Sequence, residues 1–293
     1  MFRLLGIGDS MCDKNLTTGI MYPGGQSLNV PVNIHLQGGI GAFMGCFGND
    51  AVASHLKRTL DELGIDQSHA RSYPVPHWAA YYRVIDEDRV FLKAPVKVHP
   101  MSRVLFDMLA YEGFSEKDWA YISSFDMVHC SNDSRIETLY PEIKRRGVML
   151  SFDFSTTHTQ PGYMEQVCPF ASVALLSCAH CTQEEAQTAL EKAHALGTPV
   201  AVATMGTQGS LCFDGTRFYH QDSVLLEHVV DTMGAGDAFI SAFLISYFGG
   251  RGSALGDIPS SLAYAARYAA DRCMVNGSFG YGVAFETGSG CRR

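Results

Sequence analysis

The sequence predicts an α/β domain in which a mostly parallel central sheet is covered by helices on both faces. Short apolar runs alternate with amphipathic segments through most of the 293 residues, as expected for buried strands between covering helices. Hydrophobic residues make up 46% of the chain, which is enough for a substantial core. Right-handed crossovers place the carboxyl ends of such strands, and hence a binding site, along one edge of the sheet.

Each predicted strand is a short, nearly continuous apolar run, and each predicted helix repeats its apolar residues every three or four positions. The predicted strands are Leu4–Gly8, Ala42–Phe47, Met127–Cys130, Val148–Phe152, Val173–Leu176 and Val200–Thr204. The predicted helices are Asn29–Gln37, Ala51–Leu63, Ile136–Arg146, Gln183–Leu196, Ala238–Phe248 and Ser260–Met274.

Two segments, Met11–Pro23 and Arg71–Val98, interrupt this alternation because they lack helical periodicity. The second contains two β-rich pieces, Ala79–Ile85 and Arg89–Leu92, separated by the acidic turn Asp86–Asp88. We therefore predict a small β-sheet lid, built from segments of about 11–23 and 71–98, inserted into the α/β body.

Composition narrows the class of partner and the compartment. The net charge of −8, with no basic run longer than Lys144–Arg146, argues against nucleic-acid binding. No apolar stretch approaches the ~20 residues of a membrane span, and the apolar part of Met1–Asp9 is too short for a signal peptide. We expect a cytoplasmic protein with one domain over 1–282 and a flexible tail over 283–293.

The nine cysteines are scattered without the spacing of a disulfide framework, which suits a reducing compartment. Cys178-Ala179-His180-Cys181 has the spacing of a metal or redox motif. It lacks a second pair of cysteines, so we predict free thiols there rather than structural zinc.

The segment Asp231–Phe239 carries the strongest functional signal in the chain. Val229-Val230 before it is interpreted as a strand, and Ala238–Phe248 as a helix. Gly234-Ala235-Gly236 between them lets the backbone approach a ligand, and the helix N-terminus attracts an anion such as phosphate. Asp237, in the first helical turn, is placed to take a proton from a hydroxyl that attacks the phosphate. A helix cap beside a tight turn is the alternative interpretation.

Other nucleotide loops are absent from the sequence. Gly6-Ile7-Gly8 and Gly39-Ile40-Gly41 lack the third glycine of a dinucleotide fingerprint, which disfavours a dehydrogenase. No GxxxxGK[ST] loop is present either. Phosphate binding is therefore expected at the Gly234–Gly236 turn.

The chain resembles the ribokinase-like (PfkB) carbohydrate kinase family over roughly residues 3 to 282. Asp231–Phe239 matches the family signature DTxGAGDxF, and Gly24–Asn29 matches its double glycine followed by asparagine. Gly45–Asp50 and Thr204–Gly209 match its GxxGxD and TxGxxG elements. The resemblance implies a three-layer α/β/α ribokinase-like fold with a small β-sheet lid.

Shorter strings are similar to the fructoselysine 6-kinase subfamily. These are Ile7–Asp13, Asp88–Phe91, Asp126–His129 and Phe152–Ser155. The resemblance implies transfer of phosphate from ATP to a primary hydroxyl of a fructosamine, with Mg²⁺ and in many relatives K⁺. Alternatives are a relative acting on fructose, fructose 1-phosphate, ribose, a keto-deoxy sugar acid or a nucleoside, and a catalytically silent sugar-binding sensor.

The resemblance also implies residue roles. Asp237 would be the general base, and the backbone of Gly234, Ala235 and Gly236 the anion hole. Substrate binding would fall to Asp13, Gly24, Gly25 and Asn29. Asp9 either faces the same pocket or caps the first strand. Arg89 of the lid either contacts substrate or is a solvated hairpin residue.

For the nucleotide, the resemblance implies contacts from Ser177, Thr204, Gly206, Gly209 and Asn276. Ser177–His180 stands where many relatives carry an NxxE motif that places Mg²⁺, so Glu184 or Glu185 would serve through water, with Glu184 preferred. Asp231 would either form a monovalent-cation loop or end a strand. The lid strands of such kinases often pair between subunits, so a homodimer is expected.

Overall fold

The computed structural model describes residues 1–85, 88–92, 103–249 and 256–286 of the chain. The strands are β1 Arg3–Gly8, β2 Met11–Asn15, β3 Ile20–Gly24, β4 Ile40–Phe47, β5 Arg71–Ser72, β6 Ala79–Ile85, β7 Asp88–Phe91, β8 Met127–Ser131, β9 Met149–Asp153, β10 Val173–Ser177, β11 Val200–Thr204, β12 Ser210–Phe213, β13 Phe218–Gln221 and β14 Val283–Ala284. The helices are α1 Gln26–Leu36, α2 Ala51–Leu63, α3 Val104–Glu112, α4 Glu116–Ile122, α5 Tyr140–Arg145, α6 Tyr163–Val167, α7 Gln183–Ala195, α8 Ala235–Phe248 and α9 Ile258–Arg272.

The central sheet has the strand order β13-β12-β11-β10-β9-β8-β1-β4-β5. Its strands run parallel from β11 to β5, whereas β12 and β13 form an antiparallel hairpin at the other edge. The six predicted strands are all present, and the prediction of a mostly parallel sheet is confirmed. The hairpin at the edge was not predicted.

Two apolar layers cover the central sheet, because successive side chains of a strand point to opposite faces. Leu4 packs into the cluster formed with α1, α8 and α9, while Leu5 and Ile7 pack into the cluster formed with α3 to α7. Helices therefore lie on both faces, as predicted. Among the helices that the structure describes, none combines the length and apolarity that crossing a bilayer requires.

A smaller sheet with the order β14-β3-β2-β6-β7 lies beside the body. The predicted hairpin is present in it, since β6 and β7 pair antiparallel. The hairpin turn at 86–87 and the end of the predicted lid at 93–98 lie outside the described residues. The expected flexible tail from 283 needs correction, because Val283 and Ala284 pair with Met21 and Ile20 of β3.

The glycine turn before α8 is entered from a loop, so the predicted strand at Val229-Val230 is wrong. The N–H groups of Val230 and Asp231 both donate to the Cys273 carbonyl after α9. The two valines are about half exposed, at 53% and 50%. The apolar pair therefore follows the end of α9 instead of adding a strand to the sheet.

Asp50, the last residue of the GxxGxD element, has a structural position. Its Oδ1 accepts a hydrogen bond of 3.0 Å from Ala53 N and so caps α2. Its Oδ2 accepts from His77 N at 3.1 Å. One carboxylate thereby fixes both the start of α2 and the chain that leads into β6.

Candidate active site

Four buried carboxylates meet near the N-termini of α1 and α8. One directly follows β1, one lies on β2, one ends β9 and one lies in the first turn of α8. They belong to Asp9, Asp13, Asp153 and Asp237, and none is more than 8% exposed. Asp9, Asp13 and Asp153 each raise the pKa of Asp237 through their negative charge. Elements distant in sequence therefore converge on one acidic site at the edge of the sheet that the topology predicts.

The turn Gly234–Gly236 at the start of α8, called the glycine elbow below, is open to a ligand on one side. Gly234 has the left-handed backbone that favours glycine, with φ 73°, and a Cβ there would lie 2.2 Å from Ser278 Oγ. A Cβ on Gly236, by contrast, would meet no atom within 4 Å. Because the first N–H groups of a helix have no partners within it, this open side suits an anion.

Asp237 lies in the first turn of α8, where its Oδ2 accepts a 2.7 Å hydrogen bond from Asn29 Nδ2. Burial is the main cause that raises the pKa of this carboxyl well above its usual value, followed by the charge of Asp153. The bond from Asn29 lowers the pKa. The result is a carboxylate with unusually high proton affinity beside the elbow, as a general base requires.

Asn29 also has an unsatisfied acceptor. Its Oδ1 is buried and has no hydrogen-bond partner among the described residues. A buried amide oxygen of this kind needs a donor, and a ligand hydroxyl would supply one. Asn29 therefore binds Asp237 through its amide nitrogen and leaves a buried acceptor beside that carboxyl.

Asp153 is a site residue that sequence reasoning missed. Its Oδ1 accepts from Ser155 N at 2.6 Å and its Oδ2 from Gln26 Nε2 at 3.2 Å. Burial, with a further contribution from the charge of Asp9, raises the pKa of Asp153 to about 7. The available signal was a carboxylate at the carboxyl end of a buried strand.

Asp9 caps α1 rather than the first strand. Its carboxylate accepts from Gln26 N at 2.8 Å, from Ser27 N at 3.1 Å and Oγ at 2.6 Å, and from Ser131 Oγ at 2.9 Å. Three of these four bonds fall on Oδ1 and one on Oδ2. Asp9 therefore acts on the site by fixing α1, which carries Asn29.

The two glycines before α1 make room for the carboxylates. A Cβ on Gly24 would lie 2.4 Å from Asp13 Oδ2, and one on Gly25 would lie 2.8 Å from Ser10 Cα. Asp13 stands on β2, whose partner β3 leads directly into this pair. The double glycine thus lets β3 of the small sheet lead directly into α1 while the Asp13 side chain packs against the connecting turn.

The expected nucleotide residues lie at the carboxyl ends of β10 and β11, except Asn276. Ser177 stands opposite Thr204 in the parallel register, and Gly206 follows in a left-handed conformation. A Cβ on Gly209 would lie 2.1 Å from Gln221 O, so the loop is held against β13. Asn276 is exposed in the loop after α9.

Asp231 ties the elbow to that same loop. Its Oδ1 accepts from Met233 N and its Oδ2 from Gly277 N, both at 2.8 Å. It does not end a strand, so that interpretation is wrong. Its position is instead a structural link between the loops before α8 and after α9.

The two glutamates at the start of α7, Glu184 and Glu185, differ in their hydrogen bonds. Glu185 Oε2 accepts from Thr182 N at 2.7 Å and Oγ1 at 3.0 Å, which completes a capping box. Glu184 is exposed, and within the described part of the chain its carboxylate makes no hydrogen bond or ion pair. A role for Glu184 in holding Mg²⁺ through water stays a prediction.

Arg89 lies in β7, where its backbone pairs with Val84 of β6. Its side chain is outside the described residues. A role for Arg89 in substrate binding stays a prediction.

Comparisons with known proteins agree on one family. A family model described as pfkB family carbohydrate kinase matches residues 10–270. Fructosamine kinase FrlD of Bacillus subtilis is 32% identical over 98% of this chain and 96% of its own length. Fructoselysine 6-kinase of Escherichia coli is 27% identical over 95% of this chain and 100% of its own. The structure of Arabidopsis thaliana ribokinase with ribose and ATP superposes with a TM-score of 0.73 at 19% identity, covering 95% of each chain.

Proposed function

The chain belongs to the pfkB family of carbohydrate kinases, and we propose that it phosphorylates the 6-hydroxyl of a fructosamine such as fructoselysine. The observation that carries this proposal is the buried pair Asn29–Asp237 beside an elbow whose Gly236 faces open space. The pair supplies a proton acceptor, and the elbow supplies backbone donors for the transferred group.

The proposed reaction is one in-line phosphoryl transfer. The substrate hydroxyl gives its proton to Asp237, and its oxygen forms a bond to the γ-phosphorus of ATP while the bond from that phosphorus to the ADP oxygen breaks. The N–H groups of Gly234 and Gly236 would hydrogen-bond the oxygens of the transferred group. The N–H of Ala235, which donates to Thr232 O at 3.2 Å, would join them by exchanging that partner for the phosphoryl oxygen. A positioned base of this type contributes a factor of about 10²–10⁴ in rate.

The nucleotide would lie along the strand ends that carry Thr204 and Ser177. Gly206 and Gly209 would leave space for its phosphates, and Asn276 would lie beside its adenine base. Mg²⁺, when bound, would neutralise phosphate charge, with Glu184 holding it through water. K⁺ would bind beside Asp231, whose carboxylate joins the loop before α8 at Met233 N to the loop after α9 at Gly277 N.

The acidic pocket supports a substrate that carries a cation. The carboxyls that raise the pKa of Asp237 are those of Asp153, Asp9 and Asp13, and no cationic side chain is among the causes of that shift. A fructosamine brings an ammonium group next to its sugar, which would compensate such a pocket. The two relatives named for fructosamine and fructoselysine support the same substrate class.

The remaining proposals concern the assembly. The small sheet would close over the sugar as a lid within one domain of residues 1–282, bringing Arg89 to the substrate and excluding water. Val90 and Phe91 of β7 are 42% and 52% exposed, which supports a homodimer formed through the lid. A cytoplasmic location follows for an enzyme that uses ATP.

The test of the base is Asp237→Asn, which keeps the side-chain shape and an acceptor for Asn29 but removes the proton acceptor. We expect kcat to fall by a factor of about 10²–10⁴ with ATP affinity nearly unchanged. Asp61→Asn makes the same chemical change on the exposed face of α2 and should leave turnover intact. Near-normal turnover of the Asp237 variant would refute its role.

A substrate panel tests the fructosamine proposal. ADP release from ATP is measured with fructoselysine, fructose, fructose 1-phosphate, ribose, a keto-deoxy sugar acid and adenosine, with NADH absorbance as a control. We expect the highest kcat/KM with fructoselysine. An equal value with fructose would overturn the amine preference, and no ADP release with any acceptor would support the silent sensor.

A further inference from the structure

We propose that His158, Cys178 and Cys181 form a binding site for a thiophilic divalent cation such as Zn²⁺. One ring nitrogen and the two Sγ atoms all lie within 4.8 Å of one another. His158 and Cys178 are buried, and Cys181 is partly exposed, so the group has an entry side. This site is separate from the carboxylate cluster and does not depend on the sugar that the enzyme uses.

Two loops at neighbouring strand ends bring the three side chains together. Cys178 directly follows β10, and a turn in which Cys181 N donates to Cys178 O at 3.0 Å directs the chain back. His158 lies in the helical turn Thr157–Thr159 after β9, the neighbour of β10 in the sheet. The two cysteines alone gave half a motif, and the fold supplies the imidazole.

The hydrogen bonds of His158 leave one ring nitrogen available. Its Nδ1 lies 2.9 Å from the Ser155 carbonyl oxygen. A carbonyl oxygen only accepts, so Nδ1 carries the proton and Nε2 carries the lone pair. Nε2 lies 3.8 Å from Cys178 Sγ. Metal-bound histidines are held in the same way, with the second ring nitrogen donating to a backbone carbonyl.

Two thiolates and one neutral imidazole are a ligand set for Zn²⁺. With Zn–S of about 2.3 Å and Zn–N of about 2.0–2.1 Å, tetrahedral ligand atoms stand roughly 3.3–3.8 Å apart. The three side chains need only a small closing movement to reach that spacing. On binding, each cysteine thiol releases its proton to solvent, and a water or an anion completes the fourth position.

The site is attached to the strand ends proposed for the nucleotide. Cys178 N donates to Thr204 O at 2.8 Å, and Ser177 N donates to Ser155 O at 2.9 Å. The backbone that holds the proposed ligands is therefore continuous with the backbone of Ser177 and Thr204. A bound cation would cross-link the ends of β9 and β10 beside them.

Cobalt titration tests this site, because thiolate-bound Co²⁺ gives sulfur-to-metal charge-transfer absorption. Reduced, chelator-treated protein should show this absorption saturating at one equivalent, and equimolar Zn²⁺ should remove it. We expect His158→Gln to weaken binding at least tenfold, and the double change Cys178→Ser with Cys181→Ser to abolish the band. Cys212→Ser, which alters a buried thiol of β12, is the matched control and should titrate as wild type.

A second measurement does not depend on variants that fold. In the wild-type protein, Zn²⁺ should protect Cys181 from alkylation, as read by mass spectrometry, while Mg²⁺ should not. A wild-type titration without the charge-transfer band, or one retained in the double cysteine variant, would overturn the site. A Cys178–Cys181 disulfide that persists in excess reductant would overturn it as well.

Discussion

Replacing Asp153 with asparagine should make the protein more stable at neutral pH. Asp153 is 3% exposed and is ionised only at the cost of burial and of repulsion from nearby carboxylates. Asparagine keeps an acceptor for Ser155 N, and rotation of the Gln26 amide provides an acceptor for its new NH₂ group. The change therefore removes a buried charge while preserving both contacts.

The expected magnitude follows from the raised pKa of Asp153. Burial raises it from 3.8 to about 7, so in the folded protein the carboxyl keeps its proton where the unfolded chain has lost it. Well below pH 3.8 both states are protonated, and stability does not depend on this group. Between about pH 4 and pH 7 only the unfolded chain ionises, so the folded state loses stability, and above pH 7 the loss is complete. A shift of about three units corresponds to about 4 kcal/mol of stability lost between pH 4 and pH 8.

Urea unfolding at intervals between about pH 4 and pH 8 measures this effect. The unfolding free energy of Asp153→Asn minus that of wild type should grow by about 4 kcal/mol across the range. Asp61→Asn, on the exposed face of α2, should give a difference that does not change with pH. A constant difference for the Asp153 variant would show that the carboxyl ionises normally and would refute the reasoning.

Four further changes separate effects on catalysis from effects on folding. Asn29→Ala removes the hydrogen bond that lowers the pKa of Asp237, so the acid limb of the kcat/KM profile should move to higher pH, with about a tenfold loss near neutrality. Gly236→Ala should lower kcat/KM about 10²-fold while unfolding free energy stays within about 1 kcal/mol, because the new Cβ enters the anion space. Gly234→Ala should instead lower the unfolding free energy by about 1–3 kcal/mol, measured in urea. Asp50→Ala should cost about 1–2 kcal/mol of stability by removing the cap of α2, with kcat unchanged.

The local sequence pattern was sufficient to predict the strands and helices whose apolar residues recur at regular spacing. The buried strands stand out because they are apolar on both faces, and the helix α2 was bounded correctly at Ala51–Leu63 by its periodicity. The short helices α4 and α6 have too few turns for a periodic signal. Val229-Val230 was misread because two apolar residues do not reveal whether their partner is a sheet or the end of a helix.

The candidate site was predicted where its residues lie in recognisable motifs. Asn29 and Asp237 belong to two such motifs, and their side chains meet at 2.7 Å. Asp153 lies in the string Phe152–Ser155, whose resemblance carried no residue role, and His158 lies in no recognised motif. Each acquires its neighbours only when β9 is placed in the sheet. Long-range juxtaposition is the physical information that a single sequence does not display.

The pairing of β14 with β3 has a consequence for the order in which the molecule is completed. A ribosome releases the amino-terminal part of a chain first, and that part begins to fold while synthesis continues. The strand carrying Met21 must then wait for Val283, near the opposite end of the polypeptide, before its outer edge is covered. The outer edge of β3 is thus covered only after every strand of the central sheet has been synthesised.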